Sequence, residues 1–413
     1  MKVYIFLLKI LLLMMIFLAP LKVLGSGLPN LYMILALALP IFIFLIFAFC
    51  VLKKRVLIDH VNQIIIYYIA VFLWMILGSY NGYDVLPEVS SLCIMMLSLM
   101  VICIAYNEGL IRVEYVKKIA YFLMYCWSGV YAIIGIGIIF QVIPNDIVMK
   151  LIAIWLESKP HTAMDSGFLG IIPRLGSGEN ILPLIIYAYY LIDKRAGSAF
   201  VWLLMFVYVL VDYGRIDMVF FVFLTLLFVY VKFFQGKISL QKGVTAFMSL
   251  LVILIFVYTF LSFSNINMDE FISGWTERYG RESTERYIQV KYLTDYMSAN
   301  LWFGYGLGAY TPEYIRSDNA WVYEMQFHAF LMQMGIIGGI AIIVNYLIFF
   351  FRMVFTDIPR KYVLVTVACL AYWLVDSGFQ GGVFYGVGRI VCIVMYMFTR
   401  QEVFEGTGKG GTI

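Results

Sequence analysis

Apolar runs of about 20 residues, the length of a helix crossing the hydrocarbon core of a bilayer, recur along the whole chain between mostly short polar connections. The pattern predicts spans at 3–20, 32–52, 61–78, 89–106, 119–140, 180–192, 198–213, 216–232, 244–263, 326–351, 362–377 and 384–399. Backbone surrounded by lipid must satisfy its own hydrogen bonds, and the alternating polarity of barrel strands is absent, so these elements read as helices. The expected fold class is an all-α polytopic membrane protein of about 12 transmembrane helices, one integral unit over 1–413. At the N-terminus Lys9 interrupts the apolar run and no small-residue cleavage site follows, so Met1–Leu24 reads as an uncleaved first helix rather than a signal peptide.

Two long connections depart from this rhythm, at 141–180 and 264–325, and the second is the largest polar segment of the chain. Within it Tyr287, Val290, Leu293 or Thr294, and Met297 recur at three- to four-residue spacing. That spacing predicts an amphipathic helix lying at the membrane surface, with Arg286, Gln289 and Asp295 on its other faces.

Composition agrees with the pattern. Of 413 residues 63% are hydrophobic and 13% charged, against about a quarter charged in a soluble domain. The net charge of +4 matters less than its placement. Lys53, Lys54 and Arg55 share one connection; Arg112, Lys117 and Lys118 the next but one; then follow Lys194 and Arg195, Lys232 with Lys237 and Lys242, and Arg352 with Arg360 and Lys361. Every second connection is basic, which assigns these and both termini to the cytoplasmic side and the two long loops to the outer, periplasmic side.

Several chemistries find no support. The six cysteines all fall in predicted spans and form no CxxC, so neither a disulfide nor a zinc site is expected. Gly406-Thr-Gly-Lys-Gly-Gly411 lacks the first glycine of a phosphate loop and the helix that should follow it. Gly304-Tyr-Gly-Leu-Gly308 follows no βαβ pattern and reads as a tight turn re-entering the membrane. No D-x-D pair is present to hold a metal–nucleotide, and neither a nucleotide-sugar donor nor nucleic acid is an expected partner.

What remains is arginine on the outer side. Arg174 precedes the sixth span, Arg215 sits in the short turn Val211–Asp217, Arg278, Arg281 and Arg286 lie in the large loop, and Arg389 lies within the last span. A planar guanidinium matches phosphate oxygens bidentately. A charge inside an apolar run is costly unless paired or functional, and Asp376 is a candidate partner for Arg389. Of three histidines, His60 lies by a basic connection and His161 in the first long loop, while His328 opens the apolar run Ala329–Phe351. A histidine at such a helix start suits a general base acting on a sugar hydroxyl.

Arg281-Glu-Ser-Thr-Glu-Arg286, Leu301-Trp-Phe-Gly-Tyr-Gly-Leu-Gly308 and His328-Ala-Phe-Leu-Met-Gln-Met-Gly-Ile-Ile-Gly338, in that order, resemble the O-antigen polymerase and ligase superfamily. Gly214-Arg215 is similar to that family's Ser-Arg at a short outer turn. The resemblance implies a glycosyltransferase C-like fold with a large periplasmic loop, an undecaprenyl-pyrophosphate-linked oligosaccharide donor, and no cofactor or metal. It implies that Arg215 and Arg286 bind pyrophosphate and that His328 is the catalytic or acceptor-positioning residue; Arg174, Arg281 and Arg389 join them as candidate donor-binding residues by charge placement. A flippase and a chain-length regulator are the implied partner proteins. Ala329 departs from the asparagine, serine or glutamine that often follows the histidine in the ligase branch, which favours a polymerase over a ligase that transfers glycan to lipid A-core. A lipid-linked oligosaccharide flippase is the alternative from another class.

The threading makes a direct prediction: reporter fusions at Lys242 and Asn300 give opposite-side signals, and the same side for both refutes it.

Overall fold

The computed structural model describes residues 61–107, 111–139, 181–194, 199–212, 215–230, 286–315, 320, 323–356, 358–379 and 386–400. The predicted spans 3–20, 32–52 and 244–263, the 141–180 loop and the first part of the 264–325 loop lie outside them. Among the described residues the regular elements are all helical, with no strand. In chain order they are α1 (Val61–Tyr80), α2 (Leu86–Asn107), α3 (Val113–Ile139), α4 (Ile181–Asp193), α5 (Ala199–Asp212) and α6 (Arg215–Val229). Then come α7 (286–298), α8 (Gln326–Gly339), a π-helical turn (Ile340–Val344), α9 (Asn345–Phe355), α10 (Arg360–Phe379) and α11 (Gly386–Thr399). Among the described residues four stretches are long and apolar enough to cross a membrane: Asn62–Tyr80, Leu86–Asn107, Val113–Gly137 and Gln326–Phe355. The helices α4, α5, α6 and α11 are also apolar, but their described lengths are 13, 14, 15 and 14 residues.

Local chemistry sets the helix ends. Pro87 and Pro183 occupy first turns and Pro359 immediately precedes α10, where a missing N–H costs nothing. Gly82, at φ 81°, closes α1 in the left-handed conformation, its N–H bonded to the Ser79 carbonyl at 3.1 Å. The apolar faces then divide between core and surroundings. Helix α4 is buried on every side from Ile181 to Leu191, and α11 from Ile390 to Thr399. By contrast Ile65, Ile69, Phe72 and Ile76 form an exposed stripe along α1. Water would not tolerate such a stripe on one helix after another; a lipid surround does.

Tyrosine hydroxyls buried in this bundle bond across helices, as Tyr67 does to the Leu92 carbonyl at 2.9 Å and Tyr189 to Thr366 Oγ1 at 3.0 Å. The predicted spans that fall on described residues match helices to within a few residues. Two depart more, and both at the basic end. Helix α3 begins at Val113 rather than 119, and α9 runs on to Phe355 rather than 351. Charged first and last turns (Glu114, Lys117, Lys118; Arg352) continue a helix beyond the apolar run, and apolarity alone does not register them.

The 326–351 span is not one straight helix. Gly335 adopts φ 62°, ψ −173°, a region open essentially to glycine alone, and α8 breaks there. The backbone groups released by the break are taken up by the Leu301–Gly308 loop. Ile336 and Ile337 N–H donate to the Leu301 and Trp302 carbonyls at 3.0 Å each, while Tyr305 and Gly306 N–H donate to the Met332 and Gln333 carbonyls at 3.1 and 2.8 Å. The other side of the loop grips α1 and α2: Leu307 N–H bonds the Trp74 carbonyl at 3.1 Å, Trp74 Nε1 bonds the Phe303 carbonyl at 2.7 Å, and Gly308 N–H bonds Glu88 Oε2 at 2.5 Å. The glycine-rich turn expected to re-enter the membrane is thus a wedge between α1, α2 and the break in α8.

A Cβ at Gly306 would overlap the backbone of Gly78, and its φ is 93°. Gly306→Ala is expected to destabilise by more than the roughly 1–3 kcal/mol of backbone strain alone. Gly82→Ala, also at positive φ but with open space around the added methyl, is expected to lose only that strain. Thermal unfolding in detergent ranks the two, and the reverse order contradicts the wedge.

Candidate functional site at the mouth of a broken helix

Chain direction brings the ends of α1, α5 and α10 and the beginnings of α2, α6, α8 and α11 to one end of the bundle. Helix α7 covers part of this end. Its Leu293 joins Ala309, Tyr323, Ala329 and Met332 in a small separate core, flanked by Tyr83, Tyr296, Tyr305 and Tyr314. The face it buries differs from the predicted one. Tyr287 is 69% exposed and Gln289 fully buried, so the inner stripe runs through Gln289 and Leu293 rather than through Tyr287. A hydrogen-bonding requirement overrides hydrophobicity there: Gln289 Oε1 accepts from the backbone N–H groups of Glu324 and Met325 at 3.0 and 3.4 Å. These donors precede α8, whose first turn has no side-chain cap of its own.

Arg286 reaches the same place. Its Nε donates to Glu324 Oε2 at 3.3 Å, with both side chains partly exposed, four residues before His328. Tyr323 is buried and takes the Thr311 N–H on its hydroxyl at 2.9 Å; burial pushes its phenol up to about 12, against that hydrogen bond. The Thr311 hydroxyl holds the exposed Glu313 carboxyl below the usual range.

His328 stands half-buried in the first turn of α8, and its Nδ1 is buried with no hydrogen-bond partner among the described residues. Gln326 Oε1, two residues before it, and Nε2 of Gln289, whose Oε1 bonds Glu324 and Met325, are in the same condition. Buried polar atoms are nearly always satisfied, and an orphan costs about 1–3 kcal/mol. Among the described residues three such atoms lie at or beside the start of α8.

A second group lies across from the mouth, linked through Phe327, whose ring packs against Gly378 of α10. Tyr372 donates to Asp217 Oδ1 and stacks on Phe220, ring centroids 4.1 Å apart, joining α10 to α6. Asp217 and Asp376 are both buried, and both act electrostatically on Tyr372. Asp217 and Tyr372 escaped the sequence reading. Two acids near the ends of apolar runs were the available signal, but Tyr372 looks like any other aromatic core residue. Of the arginines, Arg286 is at the α8 mouth, Arg215 opens α6 with its side chain outside the described part, and Arg389 is half-buried in the first turn of α11. Arg174, Arg278 and Arg281 lie outside the described residues. Among those described, no three His, Cys, Asp or Glu side chains converge as a metal site would require.

Gln289→Leu is expected to lower stability by about 1–3 kcal/mol, because it strands two backbone donors. Arg286→Ala and Glu324→Ala should each cost less, with a coupling below about 1 kcal/mol in a double-mutant cycle, as for other part-exposed pairs. Should Arg286→Ala prove the most damaging of the three, Arg286 is a fastening and not a ligand residue.

No protein-family model, curated protein or solved structure matches the chain.

Proposed function

We propose that the chain is an inverting, metal-independent glycan polymerase that joins undecaprenyl-pyrophosphate-linked repeat units on the periplasmic face of the bacterial inner membrane, as an O-antigen polymerase does. The observation that carries this reading is the imidazole of His328, its buried Nδ1 without a hydrogen-bond partner among the described residues, at a mouth lined by amide groups and reached by Arg286. The acceptor sugar hydroxyl attacks the anomeric carbon of the donor while His328 takes its proton. The bond from that carbon to the pyrophosphate oxygen breaks, and the lipid pyrophosphate leaves. Arg215 and Arg286, with Arg174, Arg281 and Arg389 in support, stabilise the charge developing on the leaving group. Holding two lipid-linked ends in one mouth supplies the proximity. The donor is already activated, so no cofactor is needed. A flippase delivering repeat units and a chain-length regulator are the fitting partners.

The discontinuity of α8 favours a second reading, transport of lipid-linked sugar, because transporters build substrate sites on broken helices. There, however, the unwound backbone faces the cargo. Here the groups freed at Gly335 bond to residues 301–306 of the same chain, which leaves them nothing to offer a passing solute. Transfer of finished glycan to lipid A-core differs from polymerisation only in acceptor. A deletion strain separates the three by its lipopolysaccharide: one repeat unit on core for a polymerase, bare core with accumulated lipid-linked polymer for a ligase, no extracytoplasmic repeat for a flippase.

In a purified reaction with lipid-linked repeat unit and chelator, polymer is expected to form. His328→Ala should be slower by about 10²–10⁴-fold, the usual contribution of a general base, while His60→Ala stays near wild type. Arg215→Ala and Arg286→Ala should abolish elongation, with lysine a poor substitute for the guanidinium fork. Full activity of His328→Ala refutes the base assignment, and arrest by chelator refutes metal independence.

A further inference from the structure

At the opposite end of the bundle, where α3 and α10 begin and α4 and α11 finish, lies a cavity of ≈540 Å³ that the proposed reaction does not use. Five cationic side chains line it, Lys117, Lys118, Lys194, Lys361 and Arg400, against two carboxylates, Glu114 and Asp193. Asp193 is already saturated. It accepts from Lys117 Nζ and the Tyr121 hydroxyl at 2.7 Å each and from the Tyr362 hydroxyl, with Lys361 Nζ at 3.9 Å. Arg400 is engaged too, donating to the Thr356, Met353 and Val354 carbonyls that end α9. Lys118 and Lys194 remain, both exposed, and neither makes a side-chain hydrogen bond or ion pair among the described residues.

We infer that this cavity binds the phosphate of an anionic phospholipid. Surplus ammonium groups around one hollow repel each other, and a phosphodiester that accepts from several of them removes the repulsion. The faces leading away from the lysines point to a lipid rather than a soluble anion. Phe122, one turn from Lys118 on the same face of α3, is 57% exposed, and Ile133 beyond it 67%. On α10, Leu364 and Val367 follow Lys361 at 63% and 49% exposure. Each stripe offers an acyl chain an apolar track beginning at a cation, with the phosphate at helix-end depth, where basic pockets between spanning helices take anionic headgroups.

The test uses the full chain in nanodiscs of phosphatidylcholine, with and without phosphatidylglycerol, read by native mass spectrometry for bound lipid and by thermal unfolding. Wild type is expected to retain phosphatidylglycerol and to unfold at a higher temperature in its presence. The Lys118→Gln/Lys194→Gln double variant should bind it roughly 30-fold more weakly, the attraction of two basic side chains for an anionic lipid, while its unfolding temperature in phosphatidylcholine alone is no lower than wild type's, because two mutually repelling charges are gone. The Lys118→Arg/Lys194→Arg variant should bind as wild type does. Undiminished binding by the glutamine variant, or equal loss in the arginine variant, overturns the inference. Inorganic phosphate reproducing the stabilisation in phosphatidylcholine overturns the lipid assignment in favour of a soluble anion.

Discussion

The exchange of backbone hydrogen bonds between the break in α8 and the Leu301–Gly308 loop is the constraint on which this end of the molecule depends. A helix interrupted inside an apolar bundle leaves donors and acceptors that lipid cannot satisfy. Here the loop supplies them within 3.1 Å on both sides of Gly335. The approach is close enough that a Cβ on Gly335 would sit 2.5 Å from the Trp302 carbonyl carbon and 2.6 Å from the Gly304 nitrogen. A contact of this kind has no partial version. The loop is seated and α8 is broken, or neither holds.

That constraint propagates. The loop also bonds Trp74 of α1 and Glu88 of α2, and Asn81 Nδ2 reaches the Tyr305 carbonyl at 2.8 Å. The turn between α1 and α2 is therefore fastened to the same wedge. Residues 305–314 form one wall of the small core under α7, so the position of α7, and with it Gln289 and Arg286, follows from the loop. Glu88 is buried in the first turn of α2, where the helix dipole favours a carboxylate.

The apolar spans were legible because bilayer thickness imposes a length that composition cannot hide: α1, α2, α4, α5 and α6 begin and end close to their predicted limits. The break was not legible. A glycine within an apolar run, with another three residues on, reads as close helix packing, and Gly338 does lie against Trp74. Only the approach of a loop some 30 residues earlier distinguishes Gly335 from Gly338, and that approach is tertiary. The face of α7 was misjudged for a related reason, since Gln289 is buried by what it bonds rather than by what it dislikes. Lys117 and Lys361 were legible only as topology signals. Their convergence on Asp193 needs three helices to meet, and the tyrosines that complete it are ordinary members of an aromatic-rich sequence. His328 and Arg286, singled out by type and position, come to one helix mouth, whereas the contact of Asp217 with Tyr372 required the packing of α6 on α10.

The break also determines what kind of platform His328 occupies. The half-helix before Gly335 is short, and a short helix is a poor scaffold unless held at its ends. This one is held at both. Gln289 fastens the two residues before its first turn, and the loop fastens Met332 and Gln333 at its last, with Gln333 Nε2 bonded to the Ala309 carbonyl at 3.1 Å as well. A side chain in the first turn is then fixed relative to α7, α1 and α2 together, which is the rigidity a reacting group needs. The positive end of the half-helix dipole falls at the same mouth and favours negative charge there. A continuous span would also place a histidine at a helix start, but would leave it free to tilt with the whole helix in the bilayer. Breaking the helix beneath the mouth and bonding the break to a loop uncouples the first turns from that tilt, so the discontinuity that resembles a transporter's fixes His328 relative to α7, α1 and α2.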